Sequence, residues 1–306
     1  MRGMDSTLTA SLAPPRRVPG GVFLALAMAT VGSTVVASRV IAAGLPPFTA
    51  AALRFAIALP MFLALMRARG ERLPRPDRRD AALLALQGAC GSVGYAVLMV
   101  AGLRTASAAD AGVIAGGLPA IGAIVGALVL REPVGPRVAA GIALAVAGVA
   151  AIELGAGPAA AGAHSASGDA LVLAAMACEA LFLLLNRRLR VPVAPLAQST
   201  LMCALGLAFT LAPALAERAW SRPPDLAALA GVAYYALVPT VGGYLLWYAG
   251  AQRTDAARAA LYTGLMPVSA VALAALVLGE PVGARQLAGV ACVLAGIAAS
   301  ARRRGA

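Results

Sequence analysis

Residues Leu130–Val149 read LREPVGPRVAAGIALAVAGV, and residues Leu278–Ile297 read LGEPVGARQLAGVACVLAGI; aligned without gaps, 11 of these 20 positions are identical. Each copy is an acidic turn followed by a small-residue helix. The same offset of 148 carries Arg39 onto Arg187, Pro47 onto Pro195, Pro119 onto Pro267, and Gly141 and Gly148 onto Gly289 and Gly296. Arg104-Thr105 meets Arg253-Thr254 with one residue of slippage. The duplication therefore runs through nearly the whole chain of 306 residues.

The repeated material is apolar. The chain is 61% hydrophobic and 12% charged. Apolar runs of about 18 residues or more read as membrane-spanning helices, and their lack of alternation argues against barrel strands. Ten spans are expected, near 20–39, 47–66, 81–101, 107–129, 136–153, 169–186, 195–214, 226–249, 255–277 and 284–301. The fold class is an all-α integral membrane protein: two five-helix repeats, at 20–153 and 169–301, around a central cavity. They are flanked by a tail at 1–19 and a basic tail at 302–306, and joined by the small, uncharged linker 154–168.

All 25 basic residues are arginine. With the N-terminus in the cytoplasm, 19 arginines fall inside and five outside, with Arg54 within a span. This positive-inside bias puts both termini in the cytoplasm. With no targeting extension, a bacterial-type inner membrane is the expected location. Five spans per repeat is odd, so the two copies are expected in opposite orientations, the arrangement that builds two oppositely open states around one midplane site.

Other chemistries find no support. The net charge of +12 is explained by span-flanking arginines and not by a nucleic-acid stripe. Cys90, Cys178, Cys203 and Cys292 each lie alone in an apolar run, so neither a zinc site nor a disulfide framework is indicated. The absence of lysine excludes a pyridoxal Schiff base and a phosphate-loop lysine. His164, Ser165, Ser167 and Asp169 are neighbours near the linker, whereas a hydrolase triad meets through tertiary folding. No enzyme, cofactor or metal is expected.

Two repeats of five helices, Leu53-Arg54-Phe55 near the start of the second helix, a mid-helix proline in the fourth and ninth, and the EPVG turns together resemble the EamA transporters of the drug/metabolite transporter superfamily. The resemblance covers about 20–301 and implies a ten-helix bundle with a central cavity. The implied activity is movement, mostly export, of small metabolites such as amino acids. The expected partners are that metabolite and the lipid bilayer, with protons as a candidate coupling ion, read from the one buried acid Glu179, and a second copy of the chain in a homodimer as a further candidate.

The residues then divide by chemistry. Glu179 lies near mid-membrane, where an ionisable group costs several kcal/mol unless it faces a cavity or partner. It is a candidate for proton coupling or cation binding, or a structural bond to a neighbouring helix. Arg54 could hold a substrate carboxylate side-on, snorkel to the outer interface, or pair with Asp110. Tyr95, Tyr244, Tyr262 and Thr263 are candidate cavity residues, with interface or packing roles as the alternative. Pro119 and Pro267 are expected to kink their helices. Glu132-Pro133 and Glu280-Pro281 read as structural turns, each carboxylate complementing the dipole of the helix that follows. Ser107 and Asp110 form a capping-box-like pattern at the fourth span. Two other functions fit the same residues: proton-coupled efflux of hydrophobic cations, and a membrane scaffold without substrate, whose sign would be a solid bundle.

Overall fold

The computed structural model describes residues 19–131, 135–154, 165–221, 223, 225–254 and 262–301. The described residues are helical, with no strand among them. Five helices belong to the first repeat in sequence terms: α1 (Gly20–Gly44), α2 (Pro47–Arg69), α3 (Arg78–Gly102), the pair α4 (Ala108–Gly116) and α5 (Leu118–Leu130), and α6 (Pro136–Leu154). The second repeat contributes α7 (Ala166–Asn186), α8 (Pro195–Ala216), α9 (Leu226–Ala251), α10 (Leu265–Leu278) and α11 (Ala284–Ala301).

Six of these, α1, α2, α3, α7, α8 and α9, are 21 to 26 residues long and apolar enough to cross a membrane. The α4–α5 pair makes a seventh if its two pieces count as one span, bent by 55°. Helices α10 and α11 are shorter and apolar. Of the expected span 255–277, residues 255–261 lie outside the described residues.

Local sequence sets the helix starts. Pro47 and Pro195 open α2 and α8, where a missing N–H costs nothing. Asp77 caps α3 by accepting from the Asp80 N–H at 2.7 Å. Its repeat equivalent Asp225 caps α9 through the Ala227 and Ala228 N–H groups, at 2.9 and 3.1 Å. Ser107 caps α4 by accepting from the Asp110 N–H at 3.0 Å, the capping read from the sequence.

The bend between α4 and α5 falls at Gly117, two residues before Pro119. Pro119 thus occupies the first turn of α5, not the middle of a continuous helix. Pro267 is buried in the first turn of α10. Both prolines begin a helix segment, where their ring restricts nothing that the helix needs.

Packing repeats itself between the halves. Helix α2 lies along α8, α6 along α11, and α4 against α10. Helix α1 packs on α9 and α10, while its equivalent α7 packs on α3 and on the α4–α5 pair. Exchanging the halves carries the α2–α8 and α6–α11 pairs onto themselves and these neighbours of α1 onto those of α7. The α6–α11 crossing passes through glycines: a Cβ on Gly148 would stand 3.1 Å from the Gly289 carbonyl oxygen, and one on Gly296 3.1 Å from that of Gly141. Small residues let the two backbones approach this closely.

The two ends of the bundle differ. At the end carrying the N-termini of α2 and α4, Arg104 donates to the Leu45 carbonyl at 3.2 Å and Arg39 donates to that of Leu103. At the opposite end, Asp77 accepts from the Arg190 guanidinium at 2.8 Å and Asp80 from the Arg190 N–H at 3.1 Å.

Candidate functional site

A cavity of about 320 Å³ lies between the halves. It is bounded by α1, α2, α3, α7, α8 and α9, with contributions from α4, α5 and α10. Its lining follows the repeat. Val31 and Glu179 are equivalent positions, as are Thr34 and Phe182, Arg54 and Met202, Phe55 and Cys203, Gly91 and Pro239, Ser92 and Thr240, and Leu118 and Met266. All fourteen line the cavity. The chamber therefore straddles the relation between the repeats, where transport sites are built. Its backbone frame is shared, but its charges are not: Arg54 comes from the first half alone and Glu179 from the second alone.

Arg54 is 9% exposed. Its guanidinium carbon is 4.5 Å from the Phe55 ring centroid and 4.6 Å from that of Tyr235. Two rings so placed supply cation–π attraction in a desolvated setting. Neither ring uses the guanidinium's N–H donors. The Nε is buried without a hydrogen-bond partner, and among the described residues no carboxylate lies within 4.0 Å of the group. A buried cation with an unused donor edge suits a planar anion bound side-on. Glu179 is half-buried on the same cavity, near enough to feel the Arg54 charge but outside ion-pair distance.

Backbone devices hold this arrangement. A Cβ on Gly206 would come within 2.6 Å of the Phe55 ring, so glycine on α8 is what lets that ring lie beside Arg54. Helix α9 contains a π-helical turn at Ala236–Gly242 that includes Pro239. Proline has no N–H for the carbonyl one turn back, and that carbonyl, on Tyr235, instead accepts from the Thr240 hydroxyl at 2.9 Å. Tyr235 is thereby fixed next to Arg54. Helix α3 carries a π-helical turn at the equivalent residues, Gly88–Gly94. Such turns recur at functional sites, and each here contributes two residues to the cavity.

The polar wall continues with Tyr95, which faces Tyr235, Thr34 and Glu179. Gln198 also lines the cavity, and its Nε2 donates to the fully buried Gln87 at 2.7 Å.

Three residues chosen from the sequence, Arg54, Tyr95 and Glu179, thus meet on one cavity. Three others stand elsewhere. Tyr244 packs edge-on against Phe62, with ring centroids 5.5 Å apart, and on Tyr248 at 4.6 Å; it backs the wall that Phe62 forms. The Tyr262 hydroxyl lies against Gly21 at the start of α1. Thr263 stands just before α10, where its carbonyl accepts from the Met266 N–H at 3.1 Å. Glu132 and Pro133 lie outside the described residues. Glu280 does not serve the helix that follows it: its carboxylate accepts from the Ala108 and Ala109 N–H groups, at 3.0 and 2.9 Å, and so caps α4 in the other half. The α4 N-terminus, with its unpaired donors, lies within reach of the 279–283 turn, and α11 begins four residues later. Asp110 is engaged by the Gln286 side chain at 2.9 Å.

Sequence reading missed Phe55, Tyr235, Thr240 and Gln198 as cavity residues. The offset of 148 offered one signal, because it pairs Ser92 with Thr240 and Gly91 with Pro239.

The fold and site define a polytopic membrane protein with a solute-sized chamber between two repeats. The EamA-like transporter family matches the chain twice, over residues 18–154 and 166–302, and the chain belongs to that family. It is similar to the uncharacterized transporter YetK of Bacillus subtilis (strain 168), with 35% identity over 280 residues, covering 90% of this chain and 84% of that one. It is also similar to an uncharacterized transporter of Archaeoglobus fulgidus, 29% identical over 283 residues, covering 92% of this chain and 99% of that one. A solved crystal structure shares its fold with a TM-score of 0.60 at 21% identity, covering 92% of this chain and 97% of the other. The protein is thus a membrane transporter of the EamA type, and its relatives' names are those of transporters, consistent with a non-enzyme.

Proposed function

We propose that the protein exports small amino-acid-like metabolites by alternating access of two inverted five-helix repeats, ten spans in all, with both termini cytoplasmic in an inner membrane. The observation that carries this reading is the Arg54 side chain: buried on the cavity wall, flanked by two rings, and with no carboxylate within ion-pair distance among the described residues. It would hold the substrate carboxylate. Glu179 would hold the amine, or a coupling proton exchanged for it. The two charges come from different repeats, so a zwitterion bridging them would feel any relative motion of the halves. The end of α8 meeting the start of its equivalent α2 supports the inverted arrangement, and the arginine distribution supports the orientation.

The test compares medium and cell contents by untargeted mass spectrometry in cells expressing wild type, Arg54→Ala or an empty vector. A few carboxylates enriched outside only with wild type are expected. Coincident profiles, with the protein inserted and folded, would refute the reading.

Efflux of hydrophobic cations is the second reading, favoured by Glu179 beside Phe55, Phe62 and Phe182 on the cavity. The fixed charge of Arg54 opposes it. Resistance to quaternary ammonium compounds that is lost in Glu179→Gln would decide for it. The cavity itself argues against a solid scaffold.

A further inference from the structure

We propose that Glu217 and Glu280 are the two bolts of a closed gate at the α2/α4 end of the bundle, an inference that rests on the alternating-access reading. Both carboxylates belong to the second repeat, and both grip helix N-termini of the first. Glu217, just past α8, accepts from the Phe48 N–H at 3.1 Å and, through its other oxygen, from the Thr49 N–H and hydroxyl at 2.7 Å each. Glu280, just past α10, takes the Ala108 and Ala109 N–H groups of α4. A helix start offers unpaired donors and a partial positive charge, so a carboxylate there makes charge-assisted bonds. Gln286 seats the second bolt: its side-chain oxygen accepts from the Gly283 N–H at 3.0 Å while its nitrogen donates to Asp110. The two bolted helix starts are tied together by the Arg39 and Arg104 bonds to Leu103 and Leu45.

Among the described residues the opposite end has no equivalent of the Glu217 grip and is joined across the halves by Arg190 instead; the residues equivalent to the Glu280 grip, 132 and 256–257, lie outside the described residues. Leu196 and Ala197, the repeat equivalents of Phe48 and Thr49, donate to no side chain among the described residues. Arg187, equivalent to Arg39, is exposed, and its side chain bonds to no described residue. Arg253, equivalent to Arg104 with the one-residue slip, bonds only within its own turn, to the Ala249 carbonyl, and lies over Phe23. The position equivalent to Glu217 is Arg69, so the first grip can form only at the α2/α4 end, and closure of the opposite end must use other contacts. This conformer holds both grips at the α2/α4 end, which the arginine distribution places outside. Opening that end breaks the two grips. In sequence, Glu132 is the equivalent of Glu280 and is the residue due to form the matching bolt inside.

The test needs no substrate. All four native cysteines are replaced by alanine and a reporter, Ser199→Cys, is placed on the cavity wall. Labelling by a membrane-impermeant methanethiosulfonate reagent is timed from each side of oriented vesicles. Glu217→Gln, Glu280→Gln and Thr49→Val should each speed labelling from the external side, by about tenfold for the carboxylate changes, and slow it from the cytoplasmic side. Thr49→Val removes one donor from the grip and leaves both carboxylates, so it covers the case in which a carboxylate variant fails to fold. Unchanged external rates in all three, or a gain on the cytoplasmic side alone, would overturn the gate. A flat metabolite profile with these labelling shifts intact would instead sink the export reading and leave the gate standing.

Discussion

Replacing Arg54 by leucine should make the protein more stable while abolishing carboxylate transport. The guanidinium is 9% exposed and has no ion-pair partner among the described residues. Desolvating such a charge costs several kcal/mol. The Phe55 and Tyr235 rings return up to about 2 kcal/mol each. The balance leaves the empty site short by on the order of 1–3 kcal/mol. Leucine fills comparable space without that cost, so the apparent Tm of the detergent-purified protein should rise by roughly 3–8 °C. Trp220 and Trp247 provide the fluorescence signal. Export of the carboxylates identified for the wild type should vanish in the same variant. A Tm that falls by several degrees would refute the reasoning, because it would mean that Arg54 pins the helices together and is not a binding group waiting for its ligand.

Gly206→Ala places a Cβ 2.6 Å from the Phe55 ring and should cost about 1–3 kcal/mol through overpacking; in a double-mutant cycle with Phe55→Ala, which removes the clashing ring, the two losses should fall short of their sum. Gln198→Leu leaves the buried Gln87 oxygen without its donor and should destabilise by about 1–3 kcal/mol, while Gln87→Leu/Gln198→Leu regains most of the loss in a double-mutant cycle. At the Arg190 end, the Asp80 N–H first, and then Arg190, hold the Asp77 carboxyl below its ordinary value of 3.8. A lowered carboxyl contributes stability above its unfolded value and loses it as pH falls through the folded one. Hydrogen exchange in the first turn of α3 should therefore accelerate on acidification below about pH 4 and stay flat between about pH 5 and 8; Asp77→Asn should remove the acid step. A step that persists in Asp77→Asn would assign it to another carboxyl.

The repeat was legible in the sequence because twinned EPVG turns and paired arginines survive in an otherwise apolar chain. Arg54 and Glu179 were legible for a related reason, since a charge inside a span is rare and must be accommodated. The aromatics were not. Tyr235 and Tyr244 lie on the same helix, and both are surrounded by apolar residues. A helix that is apolar all round carries no phase to say which side faces a cavity, so Tyr244 went to a packing position while Tyr235 reached Arg54. Glu280 was read as serving the helix beside it in sequence. Its real partner, the start of α4, is 171–172 residues away and could be found only in three dimensions.

The twin π-helical turns carry a historical consequence. Each amounts to one residue too many for a regular helix, and the two occupy matching places in α3 and α9. An insertion at the same site in both copies is most simply inherited from a single ancestral five-helix unit, older than the gene fusion that joined them. Since then the residues within it have diverged, GACGSVG in one copy and ALVPTVG in the other. What outlasted that drift is a shape of the main chain. A unit of that shape, paired with a second copy of itself, would enclose a chamber whose main-chain frame is common to both copies while its opposite charges differ between them.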